Sequence, residues 1–551
     1  MTANTQSIVL GFNGGFVTDL PDQARQLNYF LKAENVIYEV DGGIHKIGGT
    51  EPILNGPLGG VPAINGMFDF WVGDGAGGFT QNFIIVTAAG EIYKDGFDGT
   101  AVNITGALAL GSDPIPVFCV ARDTLTIWFS NGTAPAKYTG SGNCAALGGS
   151  PPSGTGAVFH ANRLFAWGAV AHPSRLYYGS STSIEDWSGV DTGSIDFDIN
   201  DGDKIIGVAA YRGSLIVFKG PNKGSIHVLS GTAPTGADAF SRRILSRGTA
   251  LQTHNSIVQV GNELFFMSET GIHSLSTTQE FGNFNGADET RFLKKFFRGQ
   301  INPSQRHRVW GVDYTEKSLA LWAVPGSGSS TNSLALGFSY VRLQEEGLKA
   351  FTINRSCQSA AIRKNPTTRL HELVFGTSDG AVLRQDTTSR AESEASLGFD
   401  LDVDLLDTDK LGGFYPSQAY SMRVVTPQLL LAQGDKAGMP RGDQPFTLSG
   451  LWMRSASVGN YDVNITLTRD NETPEFYTFN QGQASFTLDE SRLDVHRLGG
   501  LAMRLVHSEP RVTGTARAVQ LDITQGGLDE DAHIFEIGID ISPDSDSRQS
   551  V

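Results

Sequence analysis

The sequence is poor in cysteine and in charge, and it has no long apolar run. Its three cysteines, Cys119, Cys144 and Cys357, form an odd and scattered set. Neither CxxC nor a Cys/His ligand spacing occurs, which excludes a zinc finger and a disulfide framework as organising devices. No apolar stretch approaches ~18 residues, so no membrane-spanning helix is expected. The opening MTANTQSIVLGFNGG has neither a basic leader nor an apolar core, so the expectation is no secretory signal and synthesis in a reducing cytoplasm. Charged residues make up 18% of the chain, below the usual quarter. No dense Lys/Arg run exists, and at a net charge of −16 the footprint of a tight nucleic-acid binder is missing. GxSxG, HExxH and P-loop signatures are missing too, so no hydrolytic machinery, metal or cofactor is expected.

What is abundant is glycine, 66 of 551 residues, a proportion that suits a fold with many tight turns. Short apolar cores recur between those turns: FIIV at Phe83, LTIW at Leu125, LFAW at Leu164, LIVF at Leu215, LFFM at Leu264, LALW at Leu319 and ELVF at Glu372. A turn and a second strand follow most of them, as in GEIYKDG, AKYTG, SRLYYGS, GSIHVLSG, GIHSLST and GAVLRQD. Each pair reads as a hairpin, and the irregular spacing centres on the ~40–50 residues of a propeller blade. A small twisted sheet cannot cover both of its apolar faces alone, whereas sheets packed radially cover one another and leave few open edges. The nearly continuous apolar cores fit strands buried on both faces. The expected fold is all-β: a β-propeller of about seven blades over residues 51–391, with six or eight also open, and an added C-terminal β-sandwich.

Residues 1–50 read as an N-terminal arm and hairpin, AENVIYEVDGGIHKIGG, turning at Asp41-Gly42-Gly43. A short helical insertion is expected near 287–298, where ADETRFLKKFFRGQINP has acidic residues at its start and Gly and Pro after it. Its Phe residues would dock as one amphipathic face. Residues 392–414 are an acidic linker, and 415–543 a jelly-roll-like sandwich whose strands alternate apolar and polar residues. Residues 544–551 read as a disordered tail.

The densest oxygen cluster is DFDINDGD, Asp196–Asp203. Asp196, Asp198 and Asn200 have the spacing of a calcium loop, but the Gly falls one place late and position twelve is Gly207 instead of Glu. Turn-starting and turn-capping roles are the expectation, with a calcium or magnesium site as the alternative. His172 reads as a turn residue, Glu185-Asp186 and Glu345-Glu346 as solvated faces, and Arg441-Gly442-Asp443 as a chance tripeptide in a loop.

The order of LNYFLKAENVIYEVDGGIHKIGGT, then ANRLFAWG with SRLYYGSSTSIEDW, then DGDKIIGVAAYRGSLIVFKGPNKGSIHVLSG resembles the tail nozzle proteins (tail tubular protein B, or tail-stabilisation proteins) of short-tailed, podovirus-type bacteriophages. The text is strongest in Leu27–Thr50 and Asn162–Gly231, and it departs from the family at Lys46-Ile47-Gly48-Gly49. The resemblance implies a non-enzymatic structural protein of the virion tail, assembled in the host cytoplasm. Six copies would form a distal conduit and gate for genome ejection, below an adaptor (head-to-tail connector) ring and beside tail fibres or spikes. Double-stranded DNA would pass through the lumen without tight binding, and the chain itself would not insert into a membrane. Six copies at −16 each would carry −96, and an acidic lumen repels DNA. Candidate subunit contacts are Arg291, Phe292, Lys294, Lys295, Phe296 and Phe297. Candidate lumen-gate residues are Ser141, Gly142, Asn143, Gly148, Gly149 and Ser150, in a loop rich in Gly, Ser and Pro. The alternative reading is a carbohydrate-binding virion or surface protein using Trp187, Trp452, Tyr461 and Tyr477.

Overall fold

Residues 6–12, 14–19, 29–39, 42–277, 284–288, 290–340, 349–385, 391–393, 417–419, 421–430, 446–456, 461–470, 472–481, 503–507, 512–527 and 530–543 are described by the computed structural model. The chain is all-β, with several four-stranded antiparallel sheets consistent with propeller blades. Each of the seven apolar cores forms the second strand of such an arrangement: Phe79–Thr87, Thr124–Phe129, Arg163–Trp167, Ser214–Gly220, Glu263–Met267, Leu319–Pro325 and His371–Gly376. Leu215, Ile216, Val217 and Phe218 are all 0% exposed, which requires cover on both faces of the sheet. Full burial of such a side chain stabilises by about 1.5–3 kcal/mol, so both faces of these strands contribute.

The first strands of the units form the inner wall. Ile64–Gly73 packs on Pro116–Ala121, which packs on Gly156–His160, and that strand packs on Lys204–Tyr211. The 3-10 turn His254–Ser256 continues the series to Trp310–Tyr314, which packs on Ser359–Lys364. Ser359–Lys364 returns to Ile64–Gly73, so the series closes on itself. The last unit takes its fourth strand, Thr50–Pro52, from the N-terminal region, with Leu383 opposite Pro52 and Gln385 opposite Thr50. Indoles tie neighbouring units: Trp167 Nε1 donates to Ile206 O (3.1 Å) and Trp322 Nε1 to Ser256 O (2.9 Å).

The inner strands of this ring approach one another closely. A Cβ on Gly66, in the first unit, would lie 2.3 Å from Pro116 Cγ of the second and 2.8 Å from Trp310 of the sixth. Phe68 stacks on Phe118 with ring centroids 5.2 Å apart. Asn65 donates to Asp113 and to Pro114 O, Arg308 pairs with Asp113, and Asn255 donates to Pro116 O. What remains is a cavity of about 290 Å³ whose lining includes Phe68, Asp69, Phe118, His254 and Trp310. Gly66→Ala should therefore overpack the centre and cost about 1–3 kcal/mol, read as a lower urea midpoint at unchanged slope.

His254 makes the centre sensitive to acid. Its ring lies 5.0 Å from that of Trp167, its Nδ1 is buried without a hydrogen-bond partner, and burial lowers its pKa to about 4. The unfolded chain takes up this proton near pH 6.5, but the native chain takes it up only near pH 4. Stability from this group is therefore full above pH 6.5 and falls as pH drops toward 4, by roughly 3 kcal/mol. His254→Phe should remove that part of the acid loss, as measured by urea unfolding at pH 7 and pH 4.5.

The N- and C-terminal regions are not the separate bodies that the sequence suggests. Lys32–Glu34 pairs with Lys349–Ile353 and with Met422–Val425, joining the sixth unit to the C-terminal strands in one ten-stranded sheet. The expected hairpin forms between Val36–Tyr38 and Ile44–Lys46, but its outer strand pairs with His533–Pro543 in a seven-stranded sheet. One hydrophobic core runs from Leu10 and Phe30 through Phe265 and Trp322 to Ile537 and Ile541. The expected alternation is present in Ala518–Gln525, where every second residue is buried. Of the acidic linker 392–414, residues 392 and 393 are described; they belong to the strand Ala391–Ser393, which pairs with Ser417–Ala419. Residues 394–416 and the tail 544–551 lie outside the described residues.

Candidate functional site

A cleft of about 550 Å³ lies between the third and fourth units. It is bounded by residues 171–175, by the loop 196–204 that joins the units, and by Pro221 and Asn222. These are the stretches that carry the resemblance, and their polar groups form one lattice. Lys219 is 0% exposed, and its ammonium donates to Phe197 O (2.9 Å), Asp198 O (2.8 Å) and Asp201 Oδ2 (2.7 Å). The Asp203 carboxylate accepts the backbone N–H groups of Asn222, Lys223 and Gly224 at 2.7–3.0 Å, holding the 221–224 turn. Arg175 pairs with Asp196 through two bonds of 2.7 and 2.9 Å, and this holds the Asp196 carboxyl below its usual range. Arg247 reaches Asp198 at 3.0 Å.

Each carboxylate of DFDINDGD is thus committed to a donor inside the chain: Asp201 and Asp203 accept backbone N–H groups of turns, whereas Asp196 and Asp198 pair with Arg175 and Arg247. Among the described residues no group of three or more His, Cys, Asp and Glu side chains is arranged to hold a metal ion. Ser225, His227 and Asp198 do meet here. However, Ser225 Oγ (2.9 Å) and Asp198 Oδ2 (3.9 Å) both approach the same nitrogen, His227 Nε2. A catalytic triad needs its carboxylate on the opposite ring nitrogen and a nucleophile open to substrate. Ser225 and His227 are 3% and 1% exposed, so this set is a packed network.

The two sets of candidate interface residues behave differently from expectation. The helix α1 spans Lys294–Gly299 and docks its Phe face as expected, but the docking is within the chain. Phe296 and Phe297 are buried in the main core, and Phe16 meets Phe296 edge-on at 5.7 Å. Phe292 O accepts from Thr18 and Asp19, while Asp19 accepts the Lys294 and Lys295 N–H groups. Lys294 Nζ donates to Thr270 O (3.0 Å). Phe296 and Phe297 therefore cannot be subunit contacts; Arg291 and Lys295 are exposed.

The Gly/Ser/Pro-rich loop expected to serve as a lumen gate is anchored at several points. Within it Ala145–Ala146 is the outermost strand of the second unit, and Cys144 and Leu147 are buried. Gly148 N donates to Glu185 Oε1 (2.7 Å), and a Cβ on Gly149 would fall 1.5 Å from Glu185 O, an approach open only to glycine. Ser141, Gly142, Asn143 and Ser150 are exposed, but the anchors between them remove the freedom a gate needs. Of the four rings named for glycan binding, Trp452 and Tyr477 are 8% and 6% exposed, so they present no open platform. Arg441-Gly442-Asp443 lies outside the described residues. Lys219, next to the Gly220-Pro221 step at the end of its strand, is the buried centre of the lattice, and no local pattern in the sequence marks it as such.

No family model matches the chain, and no curated protein does. Among solved structures it is similar to YCF48 bound to D1 peptide, at 12% identity over 62% of this chain and 97% of that one, with a TM-score of 0.37. It is similar to a chain of a nidogen/laminin complex at 9% identity over 49% of this chain and 97% of that one, with a TM-score of 0.29. An exo-β-1,3-galactanase from Phanerochaete chrysosporium, with β-1,3-galactotriose, is similar at 8% identity over 90% of this chain and 99% of that one, with a TM-score of 0.25. At these scores none of the three lends the chain an activity or a partner.

Proposed function

We propose that the ring of units is a seven-bladed β-propeller sealed by its own N-terminal strand, with the N- and C-terminal strands forming a sandwich-like second layer. We further propose that the chain is a structural protein of a short-tailed phage tail, the nozzle. In this reading six copies surround a conduit, meet an adaptor ring on one side, and carry or contact fibres or spikes.

One observation carries the reading. The residues behind the resemblance, Arg175, Asp201, Asp203 and Lys219, bond to one another and to the backbone of this chain and so stiffen one rim of the scaffold. The close approach of the inner strands adds to it, because it leaves no passage for duplex DNA within one copy and a conduit then has to lie between copies. The excess of acidic residues, 58 against 42 basic ones, suits a lumen along which DNA slides without sticking.

The test is microscopy of virions assembled with and without this chain. Particles lacking it should miss the distal tail segment and leak genome. Particles of normal outline that retain their DNA would refute the proposal, as would a purified chain that stays monomeric and turns over a substrate.

A further inference from the structure

Ser241–Arg247 is the outermost strand of the fourth unit. At seven residues it is longer than the outermost strands Ala101–Asn103, Ala145–Ala146, Gly193–Asp196, Phe284–Asp288 and Thr50–Pro52. Its outer edge has no strand partner among the described residues. Such an edge offers a row of backbone donors and acceptors to another strand. The register with Ser225–Ser230 shifts between Ile226 and His227, so Arg242, Ile244 and Arg247 fall on one face. Arg242 and Arg247 reach Asp196 O and the Asp198 carboxylate, which makes this face continuous with the rim of the cleft.

The patch is positive and partly apolar in a protein of net charge −16. Lys204 and Lys223 at the cleft are exposed and make no ion pair among the described residues. Asp201 and Asp203 are consumed within the lattice. Ile199 and Ile244 are 60% and 44% exposed. The complementary occupant is an extended segment with acidic and apolar residues in alternation.

The chain contains one. Phe399–Leu405 reads FDLDVDL, seven residues of strict alternation, and Asp407 and Asp409 follow before the first cation, Lys410. It lies within 394–416, whose flanks Ala391–Ser393 and Ser417–Ala419 are paired. Ala391–Ser393 packs beside Thr50–Pro52 in the last unit, whereas the basic edge belongs to the fourth. Twenty-three residues that start and finish at one point reach at most about 40 Å. The ring-forming reading above supplies such an edge on a neighbouring copy.

We propose that residues 394–416 of one copy dock as an added strand on the Ser241–Arg247 edge and cleft rim of the next copy. The contact is head-to-tail, the kind that closes a ring. This rests on the ring-forming reading above.

The full-length chain should be followed by native mass spectrometry and sedimentation, with charge reversals on either side. Lys223→Glu with Arg242→Glu and Arg247→Glu should weaken ring assembly at least tenfold, and Asp400→Lys with Asp402→Lys and Asp404→Lys should do the same. A chain carrying both sets should recover rings, which a merely misfolded variant cannot do. Cysteines at Ile244→Cys and Val403→Cys should crosslink between differently tagged copies; the native cysteines are buried and do not compete. Rings that ignore both reversals, no recovery in the combined chain, or a crosslink within one copy would each overturn the proposal while leaving the ring reading intact. A wild-type chain that forms no ring at any concentration would overturn both.

Discussion

Arg363→Ala should lower the stability of the chain by about 3–5 kcal/mol, the cost of stranding a buried charge. Arg363 lies in the last unit of the ring and faces the first. Its guanidinium pairs with Asp95, which is 0% exposed, and reaches Glu372 Oε2 at 3.4 Å. The rings of Phe83 and Phe97 flank it at 5.7 and 5.4 Å, so water cannot replace it. Glu372 in turn holds Arg384 (2.9 Å), and Arg384 holds Glu51 (2.6 Å) on the closing strand. First unit, last unit and N-terminal strand thus share one ionic network at the seam. Burial pushes the Asp95 carboxyl up, while the Phe97 N–H and Arg363 pull against that shift. Without Arg363, burial acts unopposed by the cation. Arg363→Met combined with Asp95→Asn should recover much of the loss, because neither residue then leaves a charge behind. Urea unfolding measures the stability, and hydrogen exchange locates it: in Arg363→Ala, protection should fall first in 50–52 and 382–385. A loss under 1 kcal/mol, or one spread evenly over the ring, would mean that the seam does not hold the closure.

That seam shows where sequence reasoning stops. Each apolar core from Phe83 to Glu372 announces itself locally, because a strand buried on both faces needs a continuous apolar run flanked by turns. Every one of the seven is a second strand, and the turns after them are where the glycines place them. Which strands pair at long range leaves no such mark. Thr50–Pro52 meets Val382–Gln385 across more than 300 residues, and Lys32–Glu34 is inserted between the sixth unit and Met422–Val425. An edge accepts many partners, so the choice is made by the whole fold. The helix was legible as an amphipathic element, but whether its Phe face meets its own chain or another depends on Phe16 and Asp19, some 275 positions away. The Gly/Ser/Pro loop at 141–150 misleads for a related reason. Its composition suits mobility, yet Glu185 fixes it from the next unit through one side-chain and one backbone contact.

Lys219 is the sharpest case, and it carries the second large effect. In LIVFKGPNKGS it stands at the strand end where a solvated lysine is ordinary, yet its three acceptors lie 18–22 residues upstream in the 196–203 loop. Lys219→Met fits the apolar part of the site but takes the cation from the Asp201 carboxylate and the donor from the Phe197 and Asp198 carbonyls, at a cost of about 3–5 kcal/mol. Lys219→Met with Asp201→Asn should recover part of this. The dependence on pH separates the pair from simple packing. In the native chain burial disfavours the charged Asp201, but the Lys219 bond and the Asp203 N–H outweigh it and hold the carboxyl below its usual value. A depressed carboxylate contributes stability above its unfolded pKa of ~3.9 and loses it as pH falls through the folded value. In Lys219→Met the same carboxylate has lost its cation and burial raises its pKa, so acid relieves the variant while it weakens the native chain. The stability gap between the two should therefore shrink from pH 6 to pH 3. A gap that stays constant over that range would show that Lys219 acts through its packing alone, and that the lattice under the cleft is not electrostatic.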